Sequence, residues 1–443
     1  MSAWGWVRDS SLLFGALPSA ITVAGAVGMV VLLSRPARRW WLWRVPGALG
    51  FSVLVAGVLD ICKPFPDPLP ARVWVWLVVG VFAMALAAVQ LDGPRRWRPL
   101  VAIPAAVLVI LTAGVKINAV YHYRPTVAAT LGLARADQVS LDTVPRRAPL
   151  ATTTPDRALS DDWRPAPGMP SAGQVARVVI PSTVSGFSAR PGWVYLPPAY
   201  LAAQRPLLPV LILVAGQPGW PSDWLTAGQL AEVMNRFAAR HLGLAPVVVM
   251  PDATGSPMGN PLCFDSALGR VQTYLAVDVP AWVARHLQVN LDHRRWAIGG
   301  FSYGGTCSLQ MAVNAPTVYP TFLDISGDVE PSLGSHRRTV AAAFAGNEAA
   351  FRAVNPLEVL ARSQFPASSG RLVIGRGDTA AAIQAQQVII AARQAKIDIQ
   401  LSTVRGAHTW YTASAGLAGQ LAWLAHHLGL VKPATPPRVR AVR

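Results

Sequence analysis

Charged residues are scarce in this chain: they make up 14% of 443 positions, against about a quarter in an ordinary soluble domain. A chain that also carries 52% hydrophobic residues is not disordered, since disorder needs high charge and few apolar groups. Cysteine is rarer still. Three cysteines without a CxxC pair exclude a disulfide-dense scaffold and argue against a zinc ribbon. Acidic residues are few, so the net charge reaches +17. The cations are spread over loops, single arginines and a Pro-rich tail, with no dense basic stripe carrying aromatics, and nucleic acid is therefore not an expected partner.

What is abundant is long apolar sequence. Four runs, about 12–33, 45–61, 73–91 and 100–121, are each expected to be a membrane-spanning helix, within a transmembrane domain of residues 1–123. The connecting segments give an orientation. Arg35, Arg38, Arg39 and Arg44 lie in the first, and Arg95, Arg96 and Arg98 in the third. The middle one, Lys63 to Arg72, holds two cations and Asp67. The positive-inside rule puts the first and third in the cytoplasm and both ends of the bundle outside. Trp40, Trp41, Trp43, Trp74, Trp76 and Trp97 fall where an aromatic belt belongs. Asp60 and Lys116 sit at outer helix ends and are expected to snorkel or pair. No further polar residues line a path through the bundle, so it reads as an anchor.

Residues 124–172 lack periodicity and read as an extracytoplasmic stem. From 173 to 430 short apolar strands alternate with helical stretches, which predicts an α/β domain with a mostly parallel sheet and helices on both faces. Residues 431–443 form a basic Pro-rich tail.

Chemistry gathers at three predicted strand ends of that domain. Gly300-Phe301-Ser302-Tyr303-Gly304 follows an apolar strand and opens a helix, the setting in which GxSxG presents a nucleophilic serine. Gly186-Phe187-Ser188 lacks the closing glycine and is a strand connection. His408 follows a late strand and precedes the last helix, which suits the general base. His286 and His293 precede Ser302, and His426 and His427 lie within the last helix. Asp378, just past the strand 371–375, is the expected acid, with Asp328 as the second choice. The Tyr303 and Gln217 N–H groups are the expected oxyanion donors, Gln217 lying in the loop Ala215-Gly216-Gln217-Pro218-Gly219.

Residues 175–430 resemble the esterase D family of α/β-hydrolases, which includes the mycolyltransferases of mycobacterial cell walls. The resemblance rests on Val194-Tyr-Leu-Pro-Pro198, Leu211-Ile-Leu-Val-Ala-Gly216, Thr273-Tyr-Leu-Ala-Val-Asp-Val-Pro280, Gly300 to Gly305, and His408-Thr-Trp410. It implies a serine esterase or acyltransferase with Ser302 as nucleophile, His408 as base and an acid after the late strand. Many relatives carry His or Asp before the oxyanion glycine where this chain has Ala215, which counts against a trehalose-binding role. Four spans are foreign to the secreted mycolyltransferases and resemble membrane-bound bacterial esterases.

Cys263 and Cys307 either form a disulfide bracing the nucleophile helix or stand as two buried thiols. Asp265 and Trp410 either shape the substrate site or serve structure. The expectation is a multi-pass cell-membrane esterase whose catalytic domain faces outward, acting on an ester, or on an envelope lipid, without metal or cofactor. Acyl transfer, hydrolysis of aminoacylated lipids and an inactive binding module are the alternatives. Oligomeric state is not readable from the sequence.

Overall fold

The computed structural model describes residues 3–34, 40–62, 69–91, 98–132, 137–154 and 157–432. The chain divides into two compact units, Met1–Ala134 and Arg135–Arg443. The clustered cations of the first and third connecting segments (Arg44 and Arg98 apart), Trp97, the side chains of Trp40 and Trp41, and the tail from residue 433 lie outside the described residues.

Among the described residues the first unit holds four long helices: α1 (Ala16–Leu33), α2 (Val45–Cys62), α3 (Ala71–Leu91) and α4 (Arg98–Tyr121). Each is long and apolar enough to cross a membrane. The first starts four residues later than its apolar run. Ser11 Oγ accepts from the Leu13 and Phe14 N–H groups, and Gly15 takes φ 97°, so residues 12–15 form a turn. Small residues let α1 and α4 approach closely. A Cβ on Gly25 would lie 2.1 Å from Thr112 Oγ1, and one on Gly28 would lie 2.6 Å from Ala105 O. Thr112 Oγ1 donates to Ile21 O at 2.8 Å. Such contacts hold apolar helices together where burial against lipid gives no gain. Asp60 and Lys116 make no ion pair with each other among the described residues.

The second unit is built on a nine-stranded sheet among the described residues. Its strands are β1 (Gln138–Val139), β2 (Gln174–Val178), β3 (Gly192–Leu196), β4 (Val210–Val214), β5 (Val247–Met250), β8 (Trp296–Phe301), β9 (Thr321–Ile325), β10 (Ser369–Gly375) and β11 (Asp398–Val404); β6 (Asp265–Ser266) and β7 (Gly269–Arg270) form a separate hairpin. The spatial order is β1-β2-β3-β5-β4-β8-β9-β10-β11. All neighbours run parallel except β3 against β2 and β5. The central strands β4, β5, β8 and β9 are buried at every position, which is why they read as continuous apolar runs rather than alternating ones. Helices follow the C-terminal strands: α5 (Tyr303–Asn314), α6 (Thr379–Gln394) and α7 (Trp410–His427). In such a sheet the crevice for ligands lies at the carboxyl ends of the strands.

One expectation is corrected. The stretch 124–172 does not stand apart as a stem: from Arg135 onward it belongs to the α/β unit. Its backbone bonds go to distant loops, so no local period marks it. Arg205 N donates to Pro149 O and Ala151 N to Arg205 O. The Gln288 amide clasps both polar backbone groups of Ala148. Leu159 N and Ser160 N reach Gly429 O and Leu430 O. Trp163, only 2% exposed, gives its indole N–H to Leu242 O.

Candidate active site

Ser302 stands between β8 and α5 with φ 56° and ψ −118°, a backbone state that costs a non-glycine residue about 1–3 kcal/mol and occurs where a fold over-determines it. The flanking glycines make the turn possible. A Cβ on Gly300 would lie 2.3 Å from Gly304 C and O, and one on Gly304 would lie 2.1 Å from Val214 O. The serine is thereby lifted at the N-terminus of a 12-residue helix, where the peptide dipoles favour negative charge.

The loop after β4 reaches the same point. A Cβ on Gly216 would be 3.5 Å from Ser302 Cβ, so Gly216 abuts the serine and Gln217 follows it. The Gln217 side chain donates to Met258 O at 3.1 Å. Trp224 Nε1 donates to Val214 O at 2.9 Å and anchors the loop's base. A clamp unforeseen from the sequence holds its far side. Arg190 bonds Asp252 through Nε (2.9 Å) and Nη2 (2.7 Å) and also reaches Gly219 O. Its guanidinium carbon lies 4.5 Å from the centre of the Trp220 ring.

At the ends of β10 and β11, His408 Nδ1 lies 2.9 Å from Asp378 Oδ2. A carboxylate partner places the proton on Nδ1 and leaves Nε2 as the acceptor. Burial raises the Asp378 carboxyl pKa. The His408 bond, the nearby Ser326 hydroxyl and the Ala381 N–H outweigh it and hold the group below its ordinary value. The His408 ring centre is 5.0 Å from that of Phe301, the residue before the serine. Phe301 in turn packs on Trp410, which meets Trp224 edge-on at 5.3 Å. Trp410 is thus buried between Phe301 and Trp224. Asp328 Oδ1 accepts from Gln384 Nε2. Asp265 accepts from Thr273 N and Oγ1 and belongs to the β6–β7 hairpin. Cys263 and Cys307 are joined as a disulfide with Cα atoms 5.5 Å apart. Tyr303 adds a tie: its buried hydroxyl accepts from Cys263 N–H at 3.2 Å and donates to Ala253 O at 2.8 Å. Among the described residues no cluster of three or more His, Cys, Asp or Glu side chains is arranged to hold a metal.

A family model, Esterase ("Putative esterase"), matches residues 188–424, more than half of the chain. The chain belongs to the esterase family. Its class of reaction is that of the serine carboxylic ester hydrolases. An uncharacterized protein of Corynebacterium glutamicum, Cgl0967/cg1104, is 36% identical to this esterase over 446 positions, covering 96% of this chain and 99% of that one. The likeness therefore runs through the apolar helices as well as the α/β unit. Among solved structures, a ferulic acid esterase is similar at 17% identity and TM-score 0.49, over 58% of this chain and 98% of its own. An S-formylglutathione hydrolase from Agrobacterium tumefaciens is similar at 20% identity and TM-score 0.49, over 58% and 97%.

Proposed function

We propose that this esterase is a membrane-anchored enzyme that cleaves a carboxylic ester of an envelope lipid through Ser302, His408 and Asp378. The 2.9 Å contact of His408 with Asp378, at neighbouring strand ends beside the Ser302 turn, carries the reading. Ser302 Oγ attacks the carbonyl carbon as His408 Nε2 takes its proton. The carbonyl π pair moves onto oxygen, where the N–H groups of Tyr303 and Gln217 and the α5 N-terminus stabilise it. Collapse expels the alcohol, which receives the proton from His408. Water, deprotonated by the same nitrogen, then releases the acid and restores Ser302. Asp378 keeps the imidazole oriented and stabilises its cation.

Residues 1–123 serve as the anchor in this proposal, and the arginine-bearing first and third connections face the cytoplasm, so the α/β unit works outside. A lipid substrate is supported by exposed apolar side chains on two of the site's loops and at the start of α7. Trp220, Met258 and Tyr411 are 43%, 52% and 48% exposed, an arrangement suited to acyl chains.

The test is fluorophosphonate labelling of the detergent-solubilised chain beside Ser302→Ala and His408→Ala. Labelling that vanishes with Ser302→Ala and drops sharply with His408→Ala is expected. A folded wild type that takes no label overturns the mechanism. Ester panels with and without an acceptor alcohol then separate hydrolysis from acyl transfer.

A further inference from the structure

The two turns that carry the dyad also carry two exposed cations. Strands β10 and β11 are parallel and in register, Gly375 opposite Val404, so Arg376 and Arg405 are the next residue on each. The turns are laced together: Arg376 N donates to Val404 O at 2.9 Å and Gly377 N to Gly406 O at 2.8 Å. Asp378 follows Arg376 by two residues and His408 follows Arg405 by three. Both arginines are exposed, and among the described residues neither has an ion-pair partner.

The other charges at these strand ends are differently placed. Arg190 is neutralised by Asp252 at 2.7 Å. Asp378 faces His408. Arg371, at the opposite end of β10, has Asp398 at 3.9 Å. Arg376 and Arg405 are thus left without an ion-pair partner where β10 and β11 open onto the site, the nearby carboxylates Asp378 and Asp328 being bound instead by His408 and Gln384. Guanidinium forks match the paired oxygens of carboxylate and phosphate.

We propose that Arg376 and Arg405 select substrates that carry an anionic group, a phosphate or a carboxylate, near the scissile ester. This rests on the serine-esterase reading of the same site. The anion lies over the β10 and β11 turns, and the carbonyl is thereby directed toward Ser302 on β8. Neither arginine takes part in bond making; both act on binding and orientation.

The test uses matched ester pairs with the full chain in neutral detergent. One pair is soluble: mono-4-nitrophenyl glutarate against 4-nitrophenyl butyrate. The other is lipid: lysophosphatidylglycerol against the phosphate-free monoacylglycerol of the same chain length in mixed micelles. The readout is the ratio of kcat/KM, anionic over neutral, for wild type, Arg376→Gln, Arg405→Gln, the double variant and the double Lys variant. Wild type is expected to favour the anionic member of at least one pair. The double Gln variant should lower that ratio about tenfold, mainly through KM, and the Lys variant should restore part of it. The wild-type preference should also shrink as ionic strength rises. A preference in the lipid pair assigns the anion to a headgroup, and one in the soluble pair assigns it to the acyl side. Equal wild-type rates within both pairs, or a ratio unmoved in the double Gln variant, overturn the inference while leaving the esterase intact. No turnover of any ester together with no fluorophosphonate labelling overturns both.

Discussion

Asp378 holds His408 from a neighbouring strand end, its Oδ2 at 2.9 Å from Nδ1, while the same residue caps α6 through Ala381 N–H. One carboxylate therefore fixes both a helix start and the tautomer of the base. In the proposed mechanism, Asp378→Asn keeps the shape but presents an amide that no longer enforces that tautomer. A loss of about 10³-fold or more in kcat is expected, with the helical signal retained. Ester turnover and circular dichroism on the same sample check it, and near-native turnover would remove Asp378 from the mechanism.

Tyr303 has a part beyond its backbone. Its hydroxyl spans the loop at Cys263 and the loop after β5 at Ala253. Tyr303→Phe strands two buried backbone groups, at a cost of about 1–3 kcal/mol. Lower thermal stability and a kcat reduced about tenfold with little change in KM are expected, because the displaced element carries the proposed oxyanion donor. A KM effect without a kcat effect would instead place Tyr303 against the substrate.

Asp324 gives a pH signature. It lies buried in β9, its Oδ1 2.8 Å from Gly327 N. Burial pushes its carboxyl up to about 7, the Gly327 bond opposing and Asp328 adding to the rise. The ordinary value is 3.8. Between these two values the folded chain holds a proton that the unfolded chain has lost, so stability declines as pH rises through that window. Asp324→Asn removes the titration. Its melting temperature relative to wild type should climb from about pH 4 to about pH 7 and then level off; parallel curves would show that Asp324 titrates normally.

The Cys263–Cys307 bond closes a segment with a sequence separation of 44 and pins the loop before the β6–β7 hairpin to α5. Cys263→Ser with Cys307→Ser is expected to lower stability by about 2–4 kcal/mol in denaturant unfolding followed by tryptophan fluorescence. Fluorophosphonate labelling should slow in parallel, because α5 loses its brace. Unchanged stability would show that the packing around both sulfurs suffices.

The elements legible in the sequence are those whose cause is local. The glycines around Ser302 mark the sharp turn because backbone must pass backbone there, and the apolar strands before Asp378 and His408 mark the edge where ligands meet a parallel sheet. The two residues stand 30 apart, yet both could be found because each directly follows a strand. The Arg190–Asp252 clamp joins positions 62 apart that follow no shared pattern, and nothing in either neighbourhood announces the partner. The strap from Gln138 to Trp163 was opaque for a similar reason. Its hydrogen bonds end on Arg205, Gln288 and Leu242, so its order is imposed from outside. Asp265, for which the sequence left a site role and a structural role open, accepts from Thr273, eight residues on, in a short hairpin with no strong strand signal.

The glycine face of α1 has a consequence for how the chain is made. Gly25 and Gly28 find their counterparts, Thr112 and Ala105, on α4, the last of the four long helices to leave the ribosome. The first helix thus waits, with its small-residue side uncovered, through the synthesis of the two between. A nascent chain halted after α3 therefore leaves that small-residue seam without the helix it packs against in the finished chain.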